Sequence, residues 1–228
     1  MQATTHANHH HYANVGMGPN DEYATNDRSA PAIALRLSKA GGLVLAALLM
    51  AASFIAATTN TASAEAPAKY MQRVANQLIA AQRKGSRDAY ARVIRSHADI
   101  PSIGLYSLGT YRPGLRKADR SQYYSGMVKF ISRYAAKEGP KYPVARAVVI
   151  GQSGETKSGV YVDSTVTLQS GTSYDVRWFL VRRGKTWKVR DAEVIGFWMS
   201  PFLKNLFETY ISENGGNPKS LVIALSRQ

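Results

Sequence analysis

The sequence of 228 residues contains no cysteine. This absence excludes a disulfide framework, a thiol nucleophile, a cysteine-ligated zinc site and an anchor on a lipid-modified cysteine. Acidic residues are also scarce, because 15 Asp and Glu stand against 29 Lys and Arg and leave a net charge of +14. The folded part must therefore be stabilised by its apolar core alone, and its surface favours anionic partners.

Motifs that carry catalysis are missing as well. No phosphate-binding glycine loop, zinc-ligand pair, nucleophile elbow or pair of catalytic carboxylates stands out. After residue 64 histidine occurs once, at His97, and its nearest acidic neighbour is Asp99, which is more typical of a structural or surface histidine than of a catalytic one. Arg182, Arg183 and Lys185 at a predicted hairpin tip favour a solvated turn over a phosphate contact. The sequence favours a binding protein over an enzyme, with no cofactor, no metal and no nucleic acid, since the aromatic residues lack an RNA-binding layout.

The N-terminal region, residues 1–39, is polar and lacks any apolar periodicity. This composition predicts a disordered leader. The run His9 to His11 could bind a metal, but no Asp, Glu or Cys stands beside it at ligand spacing, which favours a plain tail. The leader is long for an export signal, and Met17 is an alternative start.

An export signal follows the leader. Arg36 and Lys39 precede an uncharged run over residues 40–64 that ends in Ala62-Ser63-Ala64. A basic flank, an apolar stretch and an Ala-x-Ala site are the three parts of a secretory signal peptide, so we predict cleavage after Ala64. An uncleaved membrane anchor is the alternative, because about 20 apolar residues span a bilayer. An exported protein with this charge would meet anionic lipid head groups or acidic partners.

Residues 65–228 predict one domain in which helices come first, strands second and helices last, which is the α+β pattern. Apolar spacings of three and four predict helices up to residue 137, and Asp119 with Gln122 predicts a capping box. From Tyr142 the period changes to two and predicts four strands of an antiparallel sheet with one apolar face, the first of them over residues 144–150. A helix after Gly196 and a closing helix from Pro218 complete the domain.

One stretch could either fill the core or form the rim of a cavity. Phe197, Trp198 and Met199 lie between the last predicted strand and the following helix, without a charge among them. In that helix Phe202, Leu206 and Tyr210 recur at spacings of four and predict its buried face. These residues place a large apolar area at the junction of strand and helix, and both interpretations stay open.

Two stretches carry a resemblance to a known family. The pattern Asp99-Ile-Pro-x-Ile-x-x-x-x-Leu-Gly-x-Tyr-Arg112 resembles the central motif of the MlaC, or toluene-tolerance, family. Trp187-Lys-Val-x-Asp191, followed by Val194, Gly196 and Phe207 and by Gly215, Leu221 and Leu225, is similar to that family's C-terminal half, as is Val176-x-Trp178-x-Leu180. The likeness covers residues 68–226. The sequence departs from the family pattern at Arg112, where a tryptophan is common, and at residues 197–201, where the family is usually polar.

The resemblance implies a curved antiparallel sheet wrapped by N- and C-terminal helices around an apolar lipid pocket. It further implies a periplasmic carrier, expected to be a monomer, that takes phospholipid between an inner-membrane ABC transporter complex and an outer-membrane lipoprotein complex and so serves outer-membrane asymmetry. Hopanoid-associated members leave the cargo open, and Asp191 is expected to anchor a polar network rather than bind cargo. The residues predicted to contact lipid are Ile103, Leu108, Met127, Phe130, Val162, Val176, Trp178, Val194, Phe197, Trp198 and Phe202.

Overall fold

A computed structural model describes residues 65–227. The leader, the histidine run, the signal peptide and the alternative anchor lie outside these residues and stay predictions. Residues 65–227 form six α-helices: α1 (Pro67–Lys84), α2 (Arg87–His97), α3 (Ile100–Ser107), α4 (Arg120–Glu138), α5 (Met199–Glu213) and α6 (Pro218–Ser226). Five strands form between α4 and α5: β1 (Val144–Thr156), β2 (Gly159–Leu168), β3 (Ser173–Arg183), β4 (Thr186–Val194) and β5 (Phe197–Trp198). Three short 3₁₀ helices cover Gly109–Gly114, Lys117–Asp119 and Gly139–Lys141.

The predicted α+β class and the antiparallel sheet are confirmed. The strands pair in chain order, each antiparallel to the one before it. Irregular register at three places in β1 and one in β4 interrupts the pairing, and such bulges increase the local twist and bend of a sheet. The helices pack on one face of this curved sheet.

Alternation decides which face of the sheet the helices cover. Val162, Val166 and Trp178 are buried, whereas Asp163 and Arg177, one residue along each strand, lie on the other face and pair at 2.9 Å. Because successive side chains in a strand point to opposite faces, the predicted apolar face becomes the floor of the core. The Trp178 indole N–H donates to the Ser164 hydroxyl at 2.8 Å, so the polar groups of this face are satisfied internally.

The first helix shows how the helical layer is formed. Apolar side chains of α1 lie along one buried stripe that includes Met71, Val74 and Leu78, and such a stripe needs a partner surface. The helix ends at Gly85, whose φ of 59° is the left-handed conformation that favours glycine after a helix. None of the helices formed within residues 65–227 is long and apolar enough to cross a membrane.

Three expectations about local structure were wrong. Strand β1 continues to Thr156, past the expected end at Ile150, and a short fifth strand follows a turn in which Ile195 and Gly196 both have positive φ. The capping box does not form, because the Asp119 carboxylate pairs with Arg116 at 2.6 Å and makes no side-chain cap.

The face of α5 also differs from the prediction. Its buried stripe contains Leu203, Phe207 and Ile211. The predicted Phe202, Leu206 and Tyr210 are only partly buried and pack at the margin of the core. Both stripes are apolar with a spacing of four, and they differ by one residue, or about 100° of helix rotation. Docking against the sheet decides between them.

Candidate functional site

The helices and the sheet do not close completely on each other. A cavity of about 110 Å³ remains between α1, α2, α3, α4 (through Ile131) and α5 on one side and β3 and β4 on the other. The helices contribute mainly branched aliphatic side chains, among them Val74, Leu78, Ile94, Ile103 and Leu203. Such a lining gives an entering apolar group dispersion contacts and no hydrogen-bond partners.

The sheet supplies the floor of the cavity. Trp178 of β3 lies beside Val189 and Ala192 of β4, and all three are buried. Between Val189 and Ala192 the chain contains two polar residues, Arg190 and Asp191, which also border the cavity. The register explains this, because Leu180 pairs with Val189 while the preceding residue of β3 pairs with Asp191. Arg190 is therefore the extra residue of a bulge, and such a residue is unpaired and redirected.

His97 is a buried neutral histidine in the cavity wall. Its side chain is 8% exposed. Nδ1 lies 3.1 Å from the Tyr70 hydroxyl and Nε2 lies 2.9 Å from Gln77 Oε1, so the tyrosine donates to one nitrogen while the other donates to the amide oxygen. Burial lowers the pKa of His97 to about 4, and the charges of Arg73 and Lys188 act in the same direction. Both ring nitrogens are engaged in structural hydrogen bonds.

Asp191 stabilises the start of α5. Its Oδ1 accepts hydrogen bonds from the backbone N–H groups of Ala192 and Ser200, both at 2.9 Å. Trp198, at the N-cap position, makes no side-chain cap, so a carboxylate from the neighbouring strand satisfies a donor of the first turn. Burial raises the pKa of Asp191, and the two backbone hydrogen bonds oppose that shift. This geometry supports the expected role of Asp191 in a polar network.

A seam of polar contacts lies beside the cavity and joins α2 and α3 to the β3–β4 hairpin. The Asp99 backbone N–H donates to the Val189 carbonyl at 2.8 Å, and the Asp99 carboxylate pairs with Arg183 at 2.6 Å. Nearby, the Lys188 ammonium donates to the Ser96 carbonyl at 2.5 Å. We call these contacts the α2–β4 seam. It joins the helical layer to the edge of the sheet.

Of the residues predicted to contact lipid, the structure brings two, Ile103 and Trp178, to this cavity. Six others are buried in the core away from it: Leu108, Met127, Phe130, Val162, Val176 and Val194. Phe202 is half-buried at the core margin. Phe197 is 63% exposed, and the Trp198 ring lies 6.1 Å from that of Tyr161, on the face of the sheet away from the helices. Contact of these residues with lipid stays a prediction.

Sequence reasoning missed the aliphatic lining from α1 and α2 and the polar pair in β4. The sequence did carry a signal for the pair. Trp187 and Val189 alternate, Ala192 and Val194 alternate, and the two sets are out of phase by one residue. Two consecutive polar residues at such a break indicate a bulge. No cluster of three His, Cys, Asp or Glu side chains suited to a metal occurs among residues 65–227.

Comparison with known proteins shows which fold and which family this chain shares. Among curated proteins none matches the chain. Among solved structures, the phospholipid-binding protein from Ralstonia solanacearum, in complex with a phospholipid, superposes with a TM-score of 0.58 at 18% sequence identity, over 72% of this chain and 96% of that one. At that identity the likeness establishes a shared fold. The profile of the MlaC protein family matches residues 51–227, and the chain therefore belongs to the MlaC family.

Proposed function

We propose that this protein binds phospholipid and carries it between the inner and outer membranes as the soluble periplasmic component of an ABC-type lipid transport system. The observation that carries the proposal is the aliphatic cavity between the helices and the sheet. Membership of the MlaC family and a fold shared with a phospholipid-bound structure support it. We assign no catalytic role to any residue.

The physical need for a carrier comes from the lipid tails. Each methylene moved into water costs about 0.8 kcal/mol, so two tails with roughly 30 methylenes cost on the order of 20 kcal/mol as an upper bound. A cavity lined by Leu78, Ile94 and Ile103 removes that cost for every methylene it encloses. The head group needs no such protection and can stay at the mouth.

The cavity must widen to load such a lipid. Its volume of about 110 Å³ is below the roughly 150 Å³ of an engineered cavity that holds benzene, and well below the 300–1,000 Å³ or so of pockets for drug-sized ligands. Loading therefore requires α1, α2, α3 and α5 to separate from β3 and β4. The α2–β4 seam and the hydrogen bond of Asp191 to Ser200 hold that boundary by polar contacts, and water can replace the exposed Lys188–Ser96 contact of the seam.

The positive charge of the chain suits a protein that binds anionic membrane surfaces. The excess of Lys and Arg gives +14, and each cation near an anionic membrane contributes about 1 kcal/mol of attraction. The same charge favours a second candidate, an exported basic module that binds membrane surfaces or polyanions without enclosing lipid. A hopanoid or other lipid carrier of the same fold is a variant of the first proposal.

Lipid content is the first measurement. The protein is purified from an export host without detergent, its lipids are extracted, and they are quantified by mass spectrometry. Near-stoichiometric phospholipid supports the proposal, and a polycyclic lipid instead keeps the carrier and changes the cargo. A protein that takes up no lipid even from vesicles contradicts the carrier and leaves the surface module, whose polyanion binding should fall steeply with salt.

Carriage needs a separate test. Donor vesicles with labelled phospholipid and acceptor vesicles without it are held apart by a membrane that only the protein crosses. Transfer that rises with protein concentration supports shuttling. Loading without any transfer would show a lipid-binding protein that does not shuttle between membranes on its own.

A further inference from the structure

The cavity border carries one cation, Arg190. It is the extra residue of the bulge in β4, so its side chain does not follow the alternation of the strand. It contacts the N-terminal end of α5 through Nη1, 3.3 Å from the Ser200 hydroxyl. Its guanidinium also lies 5.5 Å from the ring centre of Tyr106 in α3. Tyr106 is 42% exposed, so the guanidinium lies between the two helices at the solvent side of the cavity.

Arg190 differs from the nearby arginines in its partners. Arg177 and Arg183 each form an ion pair, with Asp163 and Asp99. Arg190 forms no ion pair with any carboxylate of residues 65–227. A hydroxyl and an aromatic face leave several of its five N–H donors free.

The other titratable groups that border the cavity form no ion pair with Arg190, and only the charge of the neighbouring Asp191 acts on it. Burial holds His97 uncharged, with a pKa of about 4. The Asp191 carboxylate directs Oδ1 to the backbone N–H groups of Ala192 and Ser200. The cavity thus combines an aliphatic interior with a guanidinium at its border that is not engaged in an ion pair, which matches a ligand with an apolar body and a single anionic group.

We propose that Arg190, together with Ser200, binds the phosphate of the lipid head group at the mouth of the cavity and selects phospholipids over uncharged diacyl lipids. The assignment rests on the proposed lipid-binding function and specifies which group of the lipid is recognised. A guanidinium offers a planar pair of donors that matches two phosphate oxygens. The tails alone cannot provide this selection, because phospholipid and diacylglycerol with the same acyl chains present the same methylenes.

The test is a competition between two lipids with identical acyl chains. Vesicles that contain phosphatidylglycerol and diacylglycerol are incubated with the protein, and both bound lipids are quantified by mass spectrometry. The variants are Arg190→Gln and Arg190→Lys. The matched control is Arg182→Gln, which also removes a cation that lies over an aromatic ring, at 4.0 Å from Trp187, but does not border the cavity. Thermal unfolding checks that each variant is folded.

We expect Arg190→Gln to lower the ratio of bound phosphatidylglycerol to bound diacylglycerol by roughly tenfold or more, as the loss of a charged hydrogen bond does. Arg190→Lys keeps the charge without the planar fork and should lower the ratio by a smaller factor. Raising the ionic strength should lower the ratio for the unmodified protein and change it little for Arg190→Gln. Arg182→Gln should leave the ratio unchanged.

The outcomes separate this assignment from the function on which it rests. If no form of the protein takes up either lipid, the carrier itself is wrong. If all forms take up lipid with the same ratio, the carrier stands and Arg190 serves only to hold α3 and α5 against β4. If Arg190→Gln does not fold, an unchanged ratio in Arg190→Lys has the same meaning. Inorganic phosphate should not bind in a saturable way, and equal binding of phosphate alone would identify a general anion site.

Discussion

The core of residues 65–227 has two halves that differ in packing, one between helices α4, α5 and α6 and the other between helices and sheet. In the filled half, the Phe207 ring packs edge-on against those of Phe130 and Tyr123, with ring centres 5.9 and 6.4 Å away. In the hollow half, aliphatic side chains such as Ile94 and Ile103 surround the cavity. Aromatic rings fill space in fixed geometries, while aliphatic side chains around a void have few partners to lose.

Contacts between elements show the same difference in packing between the two halves. In the filled half, α6 packs so closely on α4 that a Cβ at Gly126 would lie 2.7 Å from Leu225 Cβ. The hollow half is held at its border by the polar α2–β4 seam and by the contact of Asp191 with α5. The comparison teaches that this fold separates two tasks. One half supplies stability, and the other supplies space that can be opened.

The largest expected effect comes from truncating the filled half. Phe207→Ala removes a side chain that is 1% exposed and should lower the free energy of unfolding by about 3–5 kcal/mol. Ile103→Ala at the cavity should cost less than half of that loss, because the methyl groups it removes already face a void. Urea unfolding of both variants measures the difference. Equal losses would mean that the two halves are packed alike.

Enlarging an alanine tests the same contrast from the other direction. Ala192 and Ala147 are both fully buried strand residues, and Ala192 borders the cavity while Ala147 does not. Ala147→Ile should cost about 1–3 kcal/mol through overpacking. Ala192→Ile should be close to neutral for unfolding and should reduce lipid uptake, measured by mass spectrometry of the bound lipid. Equal destabilisation by the two substitutions would contradict the conclusion that the hollow half is less tightly packed.

Acid should weaken the hollow half through His97. Its folded pKa of about 4 lies below the unfolded value of about 6.5, so protons bind the unfolded chain more readily. The stabilisation is fully present above about pH 6.5 and is lost as the pH falls toward 4, with a change of about 3 kcal/mol. Urea unfolding across this range measures it. In His97→Gln the free energy of unfolding should depend much less on pH between about 6.5 and 4. An unchanged dependence on pH would mean that other groups cause the loss of stability.

A substitution on the face of the sheet away from the helices should change the free energy of unfolding least. The Asp163–Arg177 pair is partly exposed, with 27% and 49% of the two side chains accessible, and exposed ion pairs contribute about 1 kcal/mol or less. Asp163→Asn should therefore lower the free energy of unfolding by under about 1 kcal/mol, with a smaller change at high salt. A loss as large as that of Phe207→Ala would place a second region of high stability on this face.

The strands could be predicted because alternation is a local property. Val162, Val166 and Trp178 occupy the predicted face, since every second side chain of a strand points to the buried face when only one face of the sheet is buried. The choice of face in α5 could not be predicted in this way. Phe202 and Leu203 both belong to apolar stripes with a spacing of four, and only docking against the sheet decides which stripe is buried.

The cavity was harder to predict than the fold. It is defined by where side chains from the first five helices and two strands fail to meet, and a void has no residue pattern of its own. The prediction of lipid contacts from the sequence named large residues such as Met127 and Phe130, which are buried in the filled half. The short aliphatic residues that leave space, among them Val74 and Ile94, are ordinary members of amphipathic helices.

The α2–β4 seam has a consequence for rates. Breaking a hydrogen bond or ion pair at a wet border costs little net free energy, because water replaces the partner. The exposed Lys188–Ser96 contact of this seam can therefore open far more often than the ring packing around Phe207. Cargo exchange would then proceed at the frequency of this opening rather than at the rate of diffusional encounter. Amide hydrogen exchange should show faster exchange in α2 and α3 than in α4, and uniform protection across the three helices would contradict it.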